Sequence, residues 1–314
     1  MSLIKTLVII VSYNGGEWIE ECLNGVLNSS IPVELIVIDN CSTDGTVEFI
    51  KSNFKNVLLF EQKENLGFGK ANNIGMSYAL RQNADFVFLL NQDAFVEKYT
   101  IEKLIEISSK HPDYGIISPI QLDYSGELLE HYFYKFMANN TTKSFYSDFV
   151  LSNAIKKIYD VPFIQAASWL IPINTLKKIG GFDPIFFHYG EDDNYCQRVL
   201  YHNLKIGVAP GVSIRHDSNV APKPVMLLFS DFYYAHYVRQ LYIKYGDLNY
   251  NFSATNIKIE KNKTYKLIFI GVVSFNFFKI KGGVKQLFVL NKCVKKINSS
   301  RKINSTINSN YISS

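Results

Sequence analysis

The chain has 314 residues, 47% hydrophobic and 19% charged, which sets it among globular proteins with room for one large domain and an extension. Its net charge of +5 is lopsided: residues 241–314 hold 13 Lys/Arg against 2 Asp/Glu, leaving the first 240 residues at −6. An acidic body with a basic tail excludes the usual nucleic-acid binder, whose basic patch sits on the folded domain, and directs the tail to solvent or to a membrane surface.

The first apolar run, "TLVIIVSY" (6–13), has the β-branched density of a buried strand and is read as one rather than as a signal peptide. "EWIEECLNGVLNS" carries a helical apolar face, "VELIVIDN" (33–40) is a second strand, and "STDGTVEFIKSNF" a short helix with cap residues in its first turn. "NVLLFEQ", "GKANNIGMSYALRQN", "DFVFLLNQD" (85–93) and "KYTIEKLIEISSK" continue the alternation. Repeated β-α-β units predict a mostly parallel sheet with helices on both faces. Residues 122–160 read as an irregular insertion, and a sequon at 139–141 carries no weight in a cytoplasmic protein. "VPFIQAASWLIPINTLKKIGGFD" (161–183) returns to strand and helix, "EDDNYCQRVLYHN" is a helix, and "LKIGVAP" and "VSIRHD" are short strands or loops. After about 221 the repeat ends. Residues 221–296 are expected to be a helical, basic and aromatic extension, with "LIFIGVVSFNFF" (267–278) too short to span a bilayer. Residues 297–314 read as a disordered tail. Cys22, Cys41, Cys196 and Cys293 form no CxxC pair and are read as reduced thiols.

Polar residues collect just past the strands: Ser12, Tyr13 and Asn14 after the first, Asp39 and Asn40 after the second, Asn65 beyond the third, Asn91 and Asp93 after the fourth. In a parallel sheet these share the carboxyl edge, where open α/β sheets bind ligands. Glycines at 67, 69 and 75 do not make a GxGxxG loop, and Lys70 lacks the Ser or Thr of a P-loop, so dinucleotides and P-loop triphosphates are disfavoured. Asp39 suits the imide N–H of a pyrimidine base, Tyr13 a base or ribose face, Lys70 a phosphate, and Asp93 a divalent metal on a diphosphate.

In order and spacing, "VSYNGGEWIEECLNGV", "VIDNCSTDGT", "ENLGFGKANNIG", "FLLNQDAFV" and "GGFDPIFFHYGEDDNYCQRV" resemble the family-2 nucleotide-sugar glycosyltransferases of GT-A fold, over about residues 5–245, and most of all their bacterial rhamnosyltransferase-like members. The resemblance implies a GT-A catalytic domain over 1–220, with a nucleotide half to about residue 95 and an acceptor half from 96. It implies a UDP- or dTDP-sugar donor, with dTDP-rhamnose among the candidates. The acceptor would be a cell-surface polysaccharide or lipid-linked saccharide. Asp39 would read the base, with Asn14 and Asn65 along the nucleotide and Asp44 nearby; Gly67 is a further candidate of the nucleotide site. The metal motif falls on Asn91-Gln92-Asp93, with His216 as a later ligand for Mn or Mg. Asn91 departs from the usual aspartate, which leaves a non-catalytic nucleotide-sugar-binding protein as the rival reading. The acidic motif falls on Glu191-Asp192, with Asp192 at the position of the base.

An acceptor hydroxyl must lose its proton as it attacks, and a carboxylate within reach can take it. Glu191, Asp192 and Asp193 begin a helix, where the partial positive end favours negative charge, and successive residues point about 100° apart. One of them, Asp192, is expected to face the donor, with Glu191 holding backbone or acceptor groups. Trp169, His188 and Tyr189 are candidate acceptor-pocket rings. The location expected is the cytoplasm, with the basic extension making an inner-membrane contact or a homodimer.

Overall fold

In the computed structural model, residues 4–138, 142–218 and 225–313 are described; the sequon at 139–141 and the expected boundary near 220 lie outside them. Two compact units result, one of residues 1–220 with 307–314 and one of residues 221–306.

The first unit is built on β1 (Thr6–Ser12), whose side chains alternate between two cores. Leu7 and Ile9 enter one, Val8 and Ile10 the other, all without exposure. That double burial is why the strand reads as an unbroken apolar run. α1 (Ile19–Leu27) covers the second face with Ile19, Cys22, Leu23 and Val26. β2 (Glu34–Asp39), α2 (Thr46–Asn53) and β3 (Leu58–Glu61) follow, and α3 (Phe68–Arg81) covers the first face with Ala71, Met76 and Ala79. β4 (Phe86–Asn91) pairs parallel to β1, with Val11 opposite Asn91. A short β5 (Ala94–Val96), α4 (Thr100–Lys110) and β6 (Tyr114–Leu122) complete the first half.

Residues 122–160 are more ordered than an irregular insertion: they hold α5 (His131–Met137), α6 (Lys143–Val150) and the short β7 (Tyr159–Asp160). Their apolar residues Phe133, Met137 and Phe145 are buried in the first core, which supplies the drive to fold. β8 (Ser168–Pro172), α7 (Ile173–Ile179), α8 (Glu191–Tyr201) and β9 (Lys205–His216) close the unit. "LKIGVAP" and "VSIRHD" are thus one twelve-residue strand, irregular in register between Pro119/Ala209 and Ile120/Ser213.

The sheet runs β3-β2-β1-β4-β8-β6-β9-β5, with β7 on β9. The pairs among β1 to β4 are parallel, whereas β8 runs against β4 and β5 against β9. The reversal at β8 brings its amino end to the carboxyl edge of β4, where Asn91 N–H donates to the Ala167 carbonyl at 2.9 Å.

The tail is not disordered. Residues to Asn304 belong to a long helix of the second unit, and the last residues form part of the first. Gly181 N–H donates to the Asn310 carbonyl at 2.9 Å, Ser313 N–H to the Ser77 hydroxyl at 3.1 Å, and Ile312 is buried in the first core.

The second unit holds α9 (Asp231–Gly246), α10 (Ala254–Val273) and α11 (Phe277–Asn304). Tyr233 Oη donates to Gln286, and Gln286 to the Thr264 hydroxyl at 3.1 Å, so one buried amide ties the three helices. No described helix is long and apolar enough to cross a membrane.

Candidate functional site

The carboxyl ends of β1, β2 and β4 meet at a cavity of about 380 Å³. It is lined by Tyr13, Asn40, Asn65, Gly67, Asn91, Gln92 and Asp93, with Val11, Phe68, Phe187 and His188. A second cavity of about 500 Å³, around Asn83, Asp85 and Lys177, lies at the amino end of β4 and holds none of the strand-end cluster.

Several candidates brace this cavity from behind. Asp39 is buried, and its carboxylate accepts the Ser12 hydroxyl at 3.0 Å, the Ser42 hydroxyl at 2.5 Å and the Ser42 N–H at 3.0 Å. Asn14 accepts the Thr43 N–H at 2.8 Å and donates its own N–H to Ser42 Oγ at 2.9 Å. Asp44 accepts the Gly16 N–H at 3.0 Å and both the N–H and the hydroxyl of Thr46. These bonds stitch the loop after β1 to the loop after β2, so Asn14 and Asp44 act on the pocket through the backbone. Lys70 is exposed on α3 and does not line the cavity.

Gln92 grips the backbone of Tyr13 from both sides: its Oε1 accepts the Tyr13 N–H at 2.9 Å and its Nε2 donates to the Tyr13 carbonyl at 3.2 Å. Asn65 Oδ1 accepts from Asn40 Nδ2 and from Gly67 N–H, both at 2.9 Å, and Asn40 Oδ1 accepts the Leu66 N–H at 2.7 Å. Asn40, Phe68 and Phe187 line the cavity without having been assigned a role from sequence. Asn40 was legible as a strand-end amide; the two rings carry no local signal in a chain with 23 phenylalanines. Gly67 has φ of +78°, and a Cβ there would run into the Phe187 carbonyl oxygen. Glycine therefore lets the loop of residues 182–190 lie directly on the cavity wall.

Asn91 Oδ1 is buried with no hydrogen-bond partner among the described residues. Such an orphan in a cavity wall is costly unless a ligand completes it. Asp93 Oδ1 lies 3.5 Å from His216 Nε2, because β5 pairs Ala94 with His216. Asp217, next in the chain, accepts Trp18 Nε1 at 2.8 Å and donates its N–H to the Asp93 carbonyl at 2.9 Å, which fixes that end of β9. No group of three His, Cys, Asp or Glu side chains suited to a metal exists among the described residues. The oxygen and imidazole donors of Asp93 and His216, beside the orphaned Asn91 amide, nonetheless fit a cation whose remaining ligands come from a substrate.

The acids start α8 after Gly190, a left-handed residue at φ 97°. Asp192 Oδ2 accepts the Ala166 N–H at 3.0 Å. Ala166 adjoins Ala167, whose carbonyl holds the Asn91 N–H, so the carboxylate is joined to the end of β4 through two consecutive backbone groups. Burial first, and the Glu191 charge second, push the Asp192 carboxyl well above the usual carboxylate range. Glu191 itself is buried.

Trp169 is not an acceptor wall. It is fully buried on β8, stacked on Phe182 at 6.1 Å and against Tyr195 at 5.6 Å, so neither ring face is open to a sugar. His188 lines the cavity, whereas Tyr189, with φ of 66°, projects into solvent and stays outside the lining.

The family model of glycosyl transferase family 2 matches residues 7–172, from β1 through β8. The chain belongs to glycosyl transferase family 2. It is 24% identical over 218 residues to the low-salt glycan biosynthesis hexosyltransferase Agl10 of Haloferax volcanii, covering 68% of this chain and 67% of that one. It is 26% identical over 215 residues to the N-acetylglucosaminyl-diphospho-decaprenol L-rhamnosyltransferase of Mycobacterium tuberculosis, covering 61% and 69%. The fold resembles residues 1–349 of S. aureus TarS crystallised with UDP, with TM-score 0.53 and 15% identity over 96% of this chain and 90% of that one. This family-2 glycosyltransferase therefore has a GT-A-like sheet flanked by helices and followed by C-terminal helices. Its family match ends before Glu191 and Asp192.

Proposed function

We propose that this glycosyltransferase moves a hexose from a UDP- or dTDP-sugar to a hydroxyl of a cell-surface polysaccharide or lipid-linked saccharide, with inversion at the anomeric carbon. The observation that carries the reading is the tether of Asp192 to the end of β4 through Ala166 and Ala167. It sets one carboxylate of raised pKa at the edge that also presents Asn91 and Asp93. The match to a diphospho-decaprenol rhamnosyltransferase supports a lipid-linked acceptor and makes dTDP-rhamnose the first donor to try.

In this reading the nucleotide occupies the cavity between Tyr13, Asn65, Gly67 and Gln92, with Asp39 and Ser12 supporting the base end and Asn91 completing its hydrogen bonds on the donor. Asp93 and His216 would hold a divalent metal, Mn or Mg, which would supply positive charge to the diphosphate. The acceptor hydroxyl lies against Asp192. The carboxylate takes its proton as the oxygen bonds to the anomeric carbon, and the bond from that carbon to the diphosphate oxygen breaks on the opposite face. A carboxyl with a raised pKa is the stronger base once ionised. His188 and Phe187 form the wall shared by donor and acceptor, and Glu191 supports Asp192. In this reading the reaction takes place in the cytoplasm or on the cytoplasmic face of the membrane.

The test is a thermal-shift panel with UDP, dTDP and GDP, each with manganese or chelator, followed by transfer assays with the stabilising nucleotide's sugars. Stabilisation by a pyrimidine diphosphate and turnover lost in Asp192→Asn are the expected results. Equal stabilisation by GDP, or full turnover in Asp192→Asn, refutes the reading.

A further inference from the structure

The second unit ends in a feature that donor chemistry does not explain. α10 and α11 form a hairpin closed by Ser274, Phe275 and Asn276, with Asn276 N–H donating to the Gly271 carbonyl at 2.7 Å and Asn276 Oδ1 capping Lys279 N–H at 3.0 Å. The turn is therefore fixed by its own hydrogen bonds. Around it Phe269, Val272, Val273, Phe275, Phe277 and Phe278 are between 53% and 86% exposed. A second apolar run, Val225, Met226 and Leu227, is exposed beside them, anchored by Phe229, whose ring meets Phe278 at 5.6 Å and lies over Gly282. So many bare rings at one tip form a patch that needs a partner.

The charges nearby identify the partner. Lys266 and Lys281 are exposed and Lys279 is half-buried within two turns of the tip, and no Asp or Glu follows Glu260 in the chain. Aromatic and aliphatic side chains at an apex flanked by lysines, with Asp231 near Phe229 paired to Lys285 at 3.6 Å, match the depth profile of a bilayer surface: apolar groups among the acyl chains, cations at anionic headgroups. No described helix is long and apolar enough to cross a membrane.

We propose that the α10–α11 tip is a wedge that inserts into anionic lipid bilayers, with Phe269, Phe275 and Phe277 entering the acyl boundary and Lys266, Lys279 and Lys281 pairing with lipid phosphates. The wedge is independent of the glycosyltransfer reading, because its readout is lipid binding without turnover.

The experiment is co-sedimentation of the full chain with vesicles of phosphatidylcholine alone or mixed with phosphatidylglycerol. Wild type is expected to pellet with the mixed vesicles and to be released by high salt. Replacing Phe269, Phe275 and Phe277 together by Ser should lower partitioning by about tenfold or more, and replacing Lys266, Lys279 and Lys281 by Gln should remove the preference for phosphatidylglycerol. Unchanged circular dichroism and melting temperature in both variants certify folding. Wild type left in the supernatant with mixed vesicles, or the phenylalanine variant binding like wild type, overturns the proposal. So does a dimer in sedimentation velocity that the same three substitutions dissociate, since the patch would then be covered by a second copy.

Discussion

The backbone N–H of Ala166 donates to Asp192 Oδ2 at 3.0 Å, one residue before the carbonyl that receives Asn91 at 2.9 Å. This relationship exists because β8 runs against β4, so the loop entering β8 arrives at the carboxyl edge rather than leaving it. A wholly parallel sheet would send that loop to the other edge and separate the acid from the strand ends. The amide also restrains the carboxylate: it favours the charged form, while burial and Glu191 oppose it.

Asp192→Asn removes the proposed base and keeps the side-chain volume. Turnover is expected to fall by about 10²–10⁴-fold, with donor-induced stabilisation unchanged. The same substitution should raise the melting temperature at neutral pH. The sign follows from linkage: a carboxyl whose folded pKa is raised keeps its proton in the native state where the unfolded chain has released it. Stability therefore declines as pH rises through the window from the ordinary carboxylate value to the raised one. An amide has no such penalty. Melting curves at acidic and neutral pH check this, with the gap between variant and wild type widening as pH rises.

Glu191→Gln tests the second cause of that raised pKa. The active form has Asp192 ionised, so kcat/KM should fall as pH drops through its pKa. Removing the Glu191 charge eases ionisation and should move this acidic limb to lower pH. A limb that stays in place would mean that the group titrating in the profile is not Asp192.

Much of the site was legible because strand ends are legible. β1, β2 and β4 are continuous apolar runs, and the polar residues at their ends, Tyr13, Asn40, Asn91 and Asp93, have no role in a dry core. What the sequence concealed depends on packing between distant segments. Trp169 sits in a strand as regular as its neighbours, and only the stacking of Phe182 and Tyr195 decides that it is core. The tail's Asn-Ser composition suggests disorder, yet it carries Tyr311 and Ile312, which pack against Arg198 of α8 and at Gly181, far away in sequence. α5 and α6 were missed because each is about two turns long, too short for a periodic pattern to stand out.

Gly67→Ala should weaken donor binding more than any other single methyl added near the cavity. The new Cβ meets the Phe187 carbonyl, and φ of +78° is itself unfavourable for alanine. The cost is on the order of 1–3 kcal/mol, shared between fold stability and displacement of the loop of residues 182–190. Calorimetric titration with UDP or dTDP, beside melting of the unliganded protein, separates the two. Wild-type affinity and stability together would show that the loop yields without penalty.

Ile312→Ala probes the C-terminal segment. Ile312 is buried in the core beneath Gly181, and the Arg198 guanidinium, fully buried, lies 5.8 Å from the Tyr311 ring while donating to the Ile179 and Gly181 carbonyls at 2.8 and 2.6 Å. Truncation removes buried apolar volume from a site that holds the Gly180-Gly181 turn, so a loss of about 2–4 kcal/mol is expected in urea unfolding. Deleting residues 307–314 should cost at least as much. A deletion that leaves the midpoint unmoved would show that these residues do not pack on the first unit in solution.

Asp93→Asn addresses the cation. Asp93 carries the charge that Asn91 lacks, and His216 is its neighbour at 3.5 Å. An amide at both positions leaves no formal negative charge on that turn, while the hydrogen bond from Asp217 N–H to the residue 93 carbonyl is untouched, so the fold should hold. If Asp93 and His216 together bind a divalent ion with the nucleotide's phosphates, manganese should enhance UDP or dTDP stabilisation of wild type by several degrees and have no effect on the variant. His216→Ala should give a partial loss, because an imidazole is one neutral ligand against a charged carboxylate. Nucleotide stabilisation that is identical with manganese and with chelator in wild type would instead mean that backbone N–H groups and neutral side chains carry the diphosphate charge without a metal.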